Sequence, residues 1–461
     1  MVAQMRQKRN RQRSIFEVIG RHPGPQELEQ MSLVLDANPE IVELAFTDLT
    51  RGRRTDTGRK GMTAEQVLRC AILKQARELT YDDLEYWLAD SNSLRSFTRL
   101  SQGQYPGTST LQKNIKSLRE ETWLAIHQFV ISYADEEKLE KGRKIRLDST
   151  VVESNIHSPS DSTLLWDGVR VVTRYLFDGK QLSPQPDYSF ADHRRVVKKR
   201  LVAIQNTKSK KVREDAYKDM LRYAYKVCSY GESAVAALHA YKGGKEVLDV
   251  IRARNLAEKI AEVINLLREV MDQTERRVLR RESVPASEKV VSLFEEHTDI
   301  IVKGNRKTEY GHKLFLTGGV SNLIIDCMIK RGNPADSECF QELLDRQEDY
   351  YGRPPRQTTA DGGFASKSNL VYAKRSGVKD AVFSKKRGLS ILGMAKSTWV
   401  YKRLKNFRAG IEANISTLKR AYGLTRCNWT GWEGFNQYVW SAIVSYNLLT
   451  IARLQLAKAA S

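Results

Sequence analysis

The sequence predicts an α/β protein: a mixed sheet flanked by helices, preceded by an all-α N-terminal domain and interrupted by a helical insertion after the first core strand. Three observations predict it. Residues from Thr63 to about 140 keep helical periodicity. Residues 144–154, KIRLDSTVVES, switch to β-branched alternation. After a second helical block, from 160 to about 292, strand-like runs return and alternate with helices. With 461 residues and 41% hydrophobic content, the chain can bury a sizeable core and fold as several domains.

The boundaries drawn from these changes are a basic arm over 1–60, a helical domain over 61–140, a sheet-bearing core over 141–158 and 293–456, and a basic helical insertion over 159–292. The arm is named for Arg6, Lys8, Arg9, Arg11 and Arg13 and for the loop RGRRTDTGRKG. The helical domain starts with TAEQ, a capping box with Thr63 at the N-cap and Gln66 three residues on. LTYDDLEYWLADS gives a second helix and STLQKNIKSLREETWLAIHQFVISYADEEK a long third, with GQYPGTS as punctuation. These helices have helix-turn-helix potential, but none is specific enough to name a recognition helix. In the first strand, Asp148, Thr150 and Val152 point one way.

The insertion carries nine cations against one acid between Asp192 and Arg213. Arg194, Arg195, Lys198 and Lys199 fall at i, i+4 spacing and form a stripe on one helix, either a DNA-backbone contact or a solvated face. Later come GHKLFLTGG and NLIIDCMIK as strands, DSECFQELLDRQEDYYG as a helix, a short strand ending at TTADGGF, a helix, the strand DAVFSK, a helix holding RAGIEANISTLK, and an apolar C-terminal helix.

The net charge of +21 calls for a polyanionic partner, nucleic acid before acidic membrane. Five scattered cysteines without CxxC spacing argue for neither a zinc site nor a disulfide framework, and fit a reducing cytoplasm. No signal peptide is read at the N-terminus. The run YVWSAIVSYNLLTIARL is too short and too polar to span a bilayer, so no membrane partner is expected.

The chemistry is read from acids. Asp148 in LDST and Asp361 in ADGGF are each placed at a strand end, the second beside glycines that let a ligand approach the backbone. Turn-forming aspartates before glycine are the alternative. In RAGIEANISTLK, a step of 4 turns about 40° past one helical turn and a step of 11 about 20° past three, so Arg408, Glu412 and Lys419 share one stripe. Ile411, Ile415 and Leu418 lie away from it. An Arg–Glu pair at i, i+4 on a solvated face explains two of these residues but does not require Lys419 at that phase. Three carboxylates together repel one another unless cations neutralise them, and hard oxygen ligands suit Mg²⁺. The seven histidines show no ligand spacing.

The order strand-Asp, strand-Asp, helix-Glu, broken by an insertion, resembles the DDE transposases of bacterial insertion sequences. Their late helix carries Tyr-x2-Arg-x3-Glu-x6-Lys. Arg408, Glu412 and Lys419 match its last three positions, whereas Lys405 stands at the tyrosine position, with Phe407 nearby. RLDSTVVESNIHSPSDSTLLWDGVR, TADGGFASKSNL and RCNWTGWEGFNQYVWSAIVSYNLL are similar to the ISNCY group, and LTYDDLEYWLADSNSLRSFTRL to the N-terminal domain of related transposases.

The resemblance implies an RNase H-like core with Asp148, Asp361 and Glu412 as catalytic, metal-binding triad. It implies two Mg²⁺ ions, with Mn²⁺ as a substitute, and Arg408 and Lys419 as DNA contacts. It also implies double-stranded DNA (element terminal repeats and target) as partner, a homodimer or higher assembly, and a cytoplasmic, nucleoid-associated protein. A nuclease on the same fold without strand transfer, and a DNA-binding derivative without catalysis, are the alternatives. Glu433 is a rival for the catalytic glutamate but lacks the Arg and Lys spacing. Glu153 falls on the other face from Asp148, Asp326 is expected in a salt bridge, and Trp429 and Trp432 are expected in the core, with stacking on an extruded base near the cut as the alternative. His157 is read as structural, and Trp166 and Asp167 have no physical account at this stage.

Overall fold

The computed structural model describes residues 23–52, 61–243, 247–302 and 307–460. The cations of the N-terminal arm, and most of the basic loop after Arg51, lie outside the described residues. The chain divides into two compact units, Met1–Asn155 with Ile301–Ser461, and Ile156–Ile300.

The first unit opens with helices α1 (Pro23–Ala37), α2 (Glu40–Thr50), α3 (Ala64–Ala76), α4 (Tyr81–Asp90), α5 (Asn92–Thr98), α6 (Thr108–Ile115) and α7 (Glu120–Glu136). The Thr63–Gln66 capping box starts α3. Within the span read as a basic arm, residues 23–37 and 40–50 are helical. Leu28, Met31 and Leu35 of α1, and Ile41, Ala45 and Leu49 of α2, bury themselves in the unit's main core at helical spacing. The long third helix is two helices, α6 and α7. The break comes where Arg119 turns extended and its backbone amide donates to Asp48 at 2.7 Å. Arg69 on α3, itself buried, pairs with Glu65 and with Asp36 of α1.

β1 (Lys144–Glu153) follows, and the chain then enters the second unit. This unit is all helix apart from its links: α8 (Asp161–Gly179), α9 (Arg194–Asn206), α10 (Lys210–His239) and α11 (Val247–Thr274). Leu165, Val172, Met220, Ala224, Ile260 and Leu267 form part of its own apolar core. His157 and Arg170 both bond to the buried Asp167, at 2.8 Å each, and Trp166 packs against the core, which gives LLWDGVR a structural role.

β2 (Asp299–Ile301) leads back into the first unit. There follow β3 (Glu309–Gly318), β4 (Ile324–Lys330), α12 (Asp336–Tyr351), β5 (Gln357–Ala360), α13 (Lys367–Arg375), β6 (Asp380–Phe383), α14 (Ile391–Met394), α15 (Thr398–Ala421) and α16 (Gly431–Ala459). The sheet runs β2-β3-β1-β5-β6, with β4 also on β3. β1 is antiparallel to β3 and parallel to β5. α12 lies over one face, where Phe315, Phe340 and Leu343 share a core. α16 is buried on every side from Phe435 to Leu449, the pattern of a central core helix. Among the described residues no helix is long and apolar enough to cross a membrane.

Candidate active site

The site begins with strand register. The parallel β1–β5 ladder ends at Leu147 opposite Ala360. The next residues are Asp148 and Asp361, so the ladder delivers two carboxylates side by side, about one strand spacing (~4.8 Å) apart in backbone. Asp148 is not at a strand end: β1 runs on to Glu153, paired only with β3 from Asp148 to Val152 and bridged at Glu153 to Arg426 as well. The strand that ends is β5, and its stop leaves the β1 edge uncovered. Asp361 then caps a single 3₁₀ turn, Gly362–Phe364. The two glycines serve close packing within the protein: a Cβ on Gly362 would strike Lys385, and one on Gly363 would strike Asp336.

α15 supplies the third wall. It approaches β1 closely at Gly410, where any Cβ would collide with the Arg146 guanidinium. Arg146 donates to Asn322 at 2.6 Å and to Asn414 at 3.3 Å, and its guanidinium lies 4.9 Å from the Phe407 ring centre. Ile411 and Leu418 are buried as the sequence pattern requires, whereas Ile415 is half-buried and lines the cleft beside Glu412. This docking turns Arg408 and Glu412 toward Asp148. The Arg408 guanidinium lies 3.4 Å from Asp148 Oδ2, 3.8 Å from Asp361 Oδ1 and 2.6 Å from Glu412 Oε1. One cation therefore touches all three acids predicted from sequence.

The acids differ in environment. The Asp148 side chain is 16% exposed and that of Glu412 58%. Burial pushes the Asp148 carboxyl up to about 6; the Ser149 amide and Arg408 pull the other way, and Asp361 and Glu412 add to the rise. Burial also acts on Asp361. There it is outweighed by the Ser384 hydroxyl, the Gly362 and Gly363 amides and Arg408, which together hold the carboxyl below its usual range. Ser384 Oγ donates to Asp361 Oδ1 at 2.8 Å.

Asp148, Asp361, Arg408 and Glu412 line one open cleft of about 1030 Å³, together with Lys313, Asp336, Lys385 and Arg387. The last four were missed in the sequence. Asp336 and Lys313 form an ion pair of 2.6 Å. The only sequence signal for Asp336 was its place at a helix start, which any capping acid shares. Lys419 lies further along α15, outside the cleft lining. Glu433 is on α16 and accepts from Gln437, away from the cleft. Glu153 pairs with Arg426, and the buried Asp326 pairs with Arg346 through two bonds of 2.6 and 2.7 Å. Trp429 is buried and Trp432 stacks on Phe435.

Among the described residues no group of three or more His, Cys, Asp or Glu side chains is arranged to hold a metal ion. In this site the carboxylates converge on a guanidinium. Their donor chemistry still fits a hard divalent cation, since all three offer carboxylate oxygens.

Residues 296–448 match the family model of the transposase DDE domain. The DDE-domain match holds Asp361, Arg408, Glu412 and Lys419 but begins well after Asp148, which the β1–β5 register brings to the same cleft. The match supports a transposase acting on DNA. No curated protein and no solved structure matches the chain.

In the second unit, Arg195, Lys198 and Lys199 are exposed on α9. Arg194 is instead held by Asp192 through bonds of 2.7 to 3.1 Å.

Proposed function

We propose that the protein is a DDE transposase of the ISNCY group with an RNase H-like core. It cuts DNA at the ends of its own insertion sequence and joins the freed 3′-hydroxyl to target DNA. The observation that carries this reading is the convergence of Asp148, Asp361 and Glu412 on Arg408, in a cleft formed largely by the stretch that matches a transposase DDE domain.

Asp148, Asp361 and Glu412 would hold two Mg²⁺ ions, or Mn²⁺ in their place. Bound there, such ions activate water or a 3′-hydroxyl and stabilise the leaving oxygen of a phosphodiester. The chain's own residues do the rest. Ser384 and the Gly362 and Gly363 amides keep Asp361 ionised. Arg408 pairs with all three acids, and a phosphate is the natural competitor for its guanidinium. Lys385 and Arg387 on the rim face the same backbone. Arg195, Lys198 and Lys199 add sequence-independent affinity, and Lys419 extends the cationic stripe beyond Glu412. The helices ahead of β1 read the terminal repeats, and a dimer or larger assembly brings two DNA ends together in the nucleoid.

The test is product analysis on a labelled duplex carrying the element ends, with target DNA and Mg²⁺. Nicks at the element end followed by joined product support the reading. Nicks without joining make the protein a nuclease on the same site, and binding without either makes it a DNA-binding derivative.

A further inference from the structure

On the other face of β1 from Asp148, the cleft holds an ion pair that the triad does not use. Lys313 of β3 has only 6% of its side chain exposed. Its Nζ lies 2.6 Å from Asp336 Oδ1 and donates to the Pro334 carbonyl at 2.8 Å. Ser149 Oγ donates to the same Asp336 oxygen at 3.1 Å. The other Asp336 oxygen fills the space that a Cβ on Gly363 would take.

Asp336 therefore touches the residue after Asp148 and packs against the residue two beyond Asp361. Ser149 in turn gives its backbone amide to Asp148 Oδ1 at 2.8 Å. A buried lysine–carboxylate pair carries a desolvation cost that apolar residues of equal volume avoid, so stability alone is a weak reason for it. What it holds is a better one.

We propose that Asp336, fixed by Lys313, is a positioning residue that sets the Asp148 and Asp361 segments at the spacing a divalent cation needs. This rests on the triad reading above. Residues that orient metal ligands without touching the metal change affinity about 10- to 100-fold when removed.

The experiment is calorimetric titration of the full chain with Mn²⁺ alone, beside thermal unfolding without metal. Asp336→Ala and Lys313→Met should each weaken Mn²⁺ binding about tenfold. Asp336→Asn should stay within about threefold of wild type, because its side-chain oxygen still accepts from Ser149 and Lys313. Ser149→Ala, the mildest change, should also weaken binding, and keeps the test open if a larger change fails to fold. If Asp336→Asn is as damaging as Asp336→Ala while Lys313→Met binds normally, Asp336 is itself a ligand and the positioning role is wrong. If Asp336→Ala and Lys313→Met melt lower but bind Mn²⁺ like wild type, the pair is structural only. Asp148→Asn separates the two levels: if it too binds Mn²⁺ like wild type, the triad reading falls and takes this inference with it.

Discussion

The cleft of the first unit and the α9 helix of the second are both rich in charge, yet they use it in opposite ways. In the cleft, Arg408 is 15% exposed and touches three carboxylates, and Lys313 is bound to Asp336. On α9, Arg195, Lys198 and Lys199 stand exposed. The charge of Arg408 and Lys313 is committed to internal partners and released only to a competing ligand; that of Arg195, Lys198 and Lys199 is available at once to any polyanion. The first arrangement suits chemistry at a defined phosphate and the second suits affinity without sequence preference.

The largest effect expected from breaking the contrast is on chemistry. Asp148→Asn, Asp361→Asn and Glu412→Gln should each lower element-end cleavage by roughly 10³-fold or more while leaving DNA binding intact, as loss of an electrostatic contact at the reacting centre does. Gel assays of cleavage and of binding on one duplex check both halves. Glu433→Gln should cut normally; if it fails and Glu412→Gln does not, the rival glutamate is the right one.

Next comes stability. The raised Asp148 carboxyl stabilises the metal-free fold below its unfolded value near 4 and loses that contribution as pH rises through about 6. The loss is on the order of 2–3 kcal/mol. Asp361 is lowered instead, so its contribution is present above its unfolded value and disappears only at more acid pH. Metal-free Asp148→Asn should therefore melt above wild type at about pH 7.5, and the gap should close toward about pH 4. A lower melting point at the higher pH would show that the Arg408 contact outweighs burial.

On α9, replacing Arg195, Lys198 and Lys199 together by alanine should weaken DNA binding uniformly across sequences. It should also flatten the salt dependence of log K by about 0.9 per lost phosphate contact. Arg194→Ala should do less, because Asp192 already engages it. The smallest effect is expected at Lys419→Ala, a several-fold loss in binding read by the same titration, since its side chain lies outside the cleft lining.

Much of this was legible in the chain, for identifiable reasons. β1 announces itself by β-branched alternation, α3 by its capping box, and the Arg408–Glu412 pair by helical phase alone, whereas Lys419 shares that phase but lies outside the cleft lining. Helices α1 and α2 carried a readable signal in Leu28, Met31, Leu35, Ile41 and Leu49, which the neighbouring basic runs obscured. The break between α6 and α7 was not readable, because it depends on Asp48 far back in the chain accepting from the Arg119 amide. Register was equally hidden. That β5 stops opposite Leu147, leaving Asp148 on a bare edge, follows from pairing between distant segments. Lys313 and Asp336 meet only through that same sheet geometry, so no local pattern could mark them.

The most direct measurement titrates Mn²⁺ into metal-free wild type, Arg408→Ala and the double variant Arg408→Ala with Asp148→Asn. If the guanidinium and the cation share the three carboxylates, Arg408→Ala binds Mn²⁺ more tightly than wild type, by about tenfold for each 1.4 kcal/mol of lost competition. The double variant then gives that gain back. If Arg408→Ala binds Mn²⁺ no more tightly than wild type, the arginine and the metal do not compete for Asp148, Asp361 and Glu412, and the convergence seen in the cleft is an ordinary salt-bridge network.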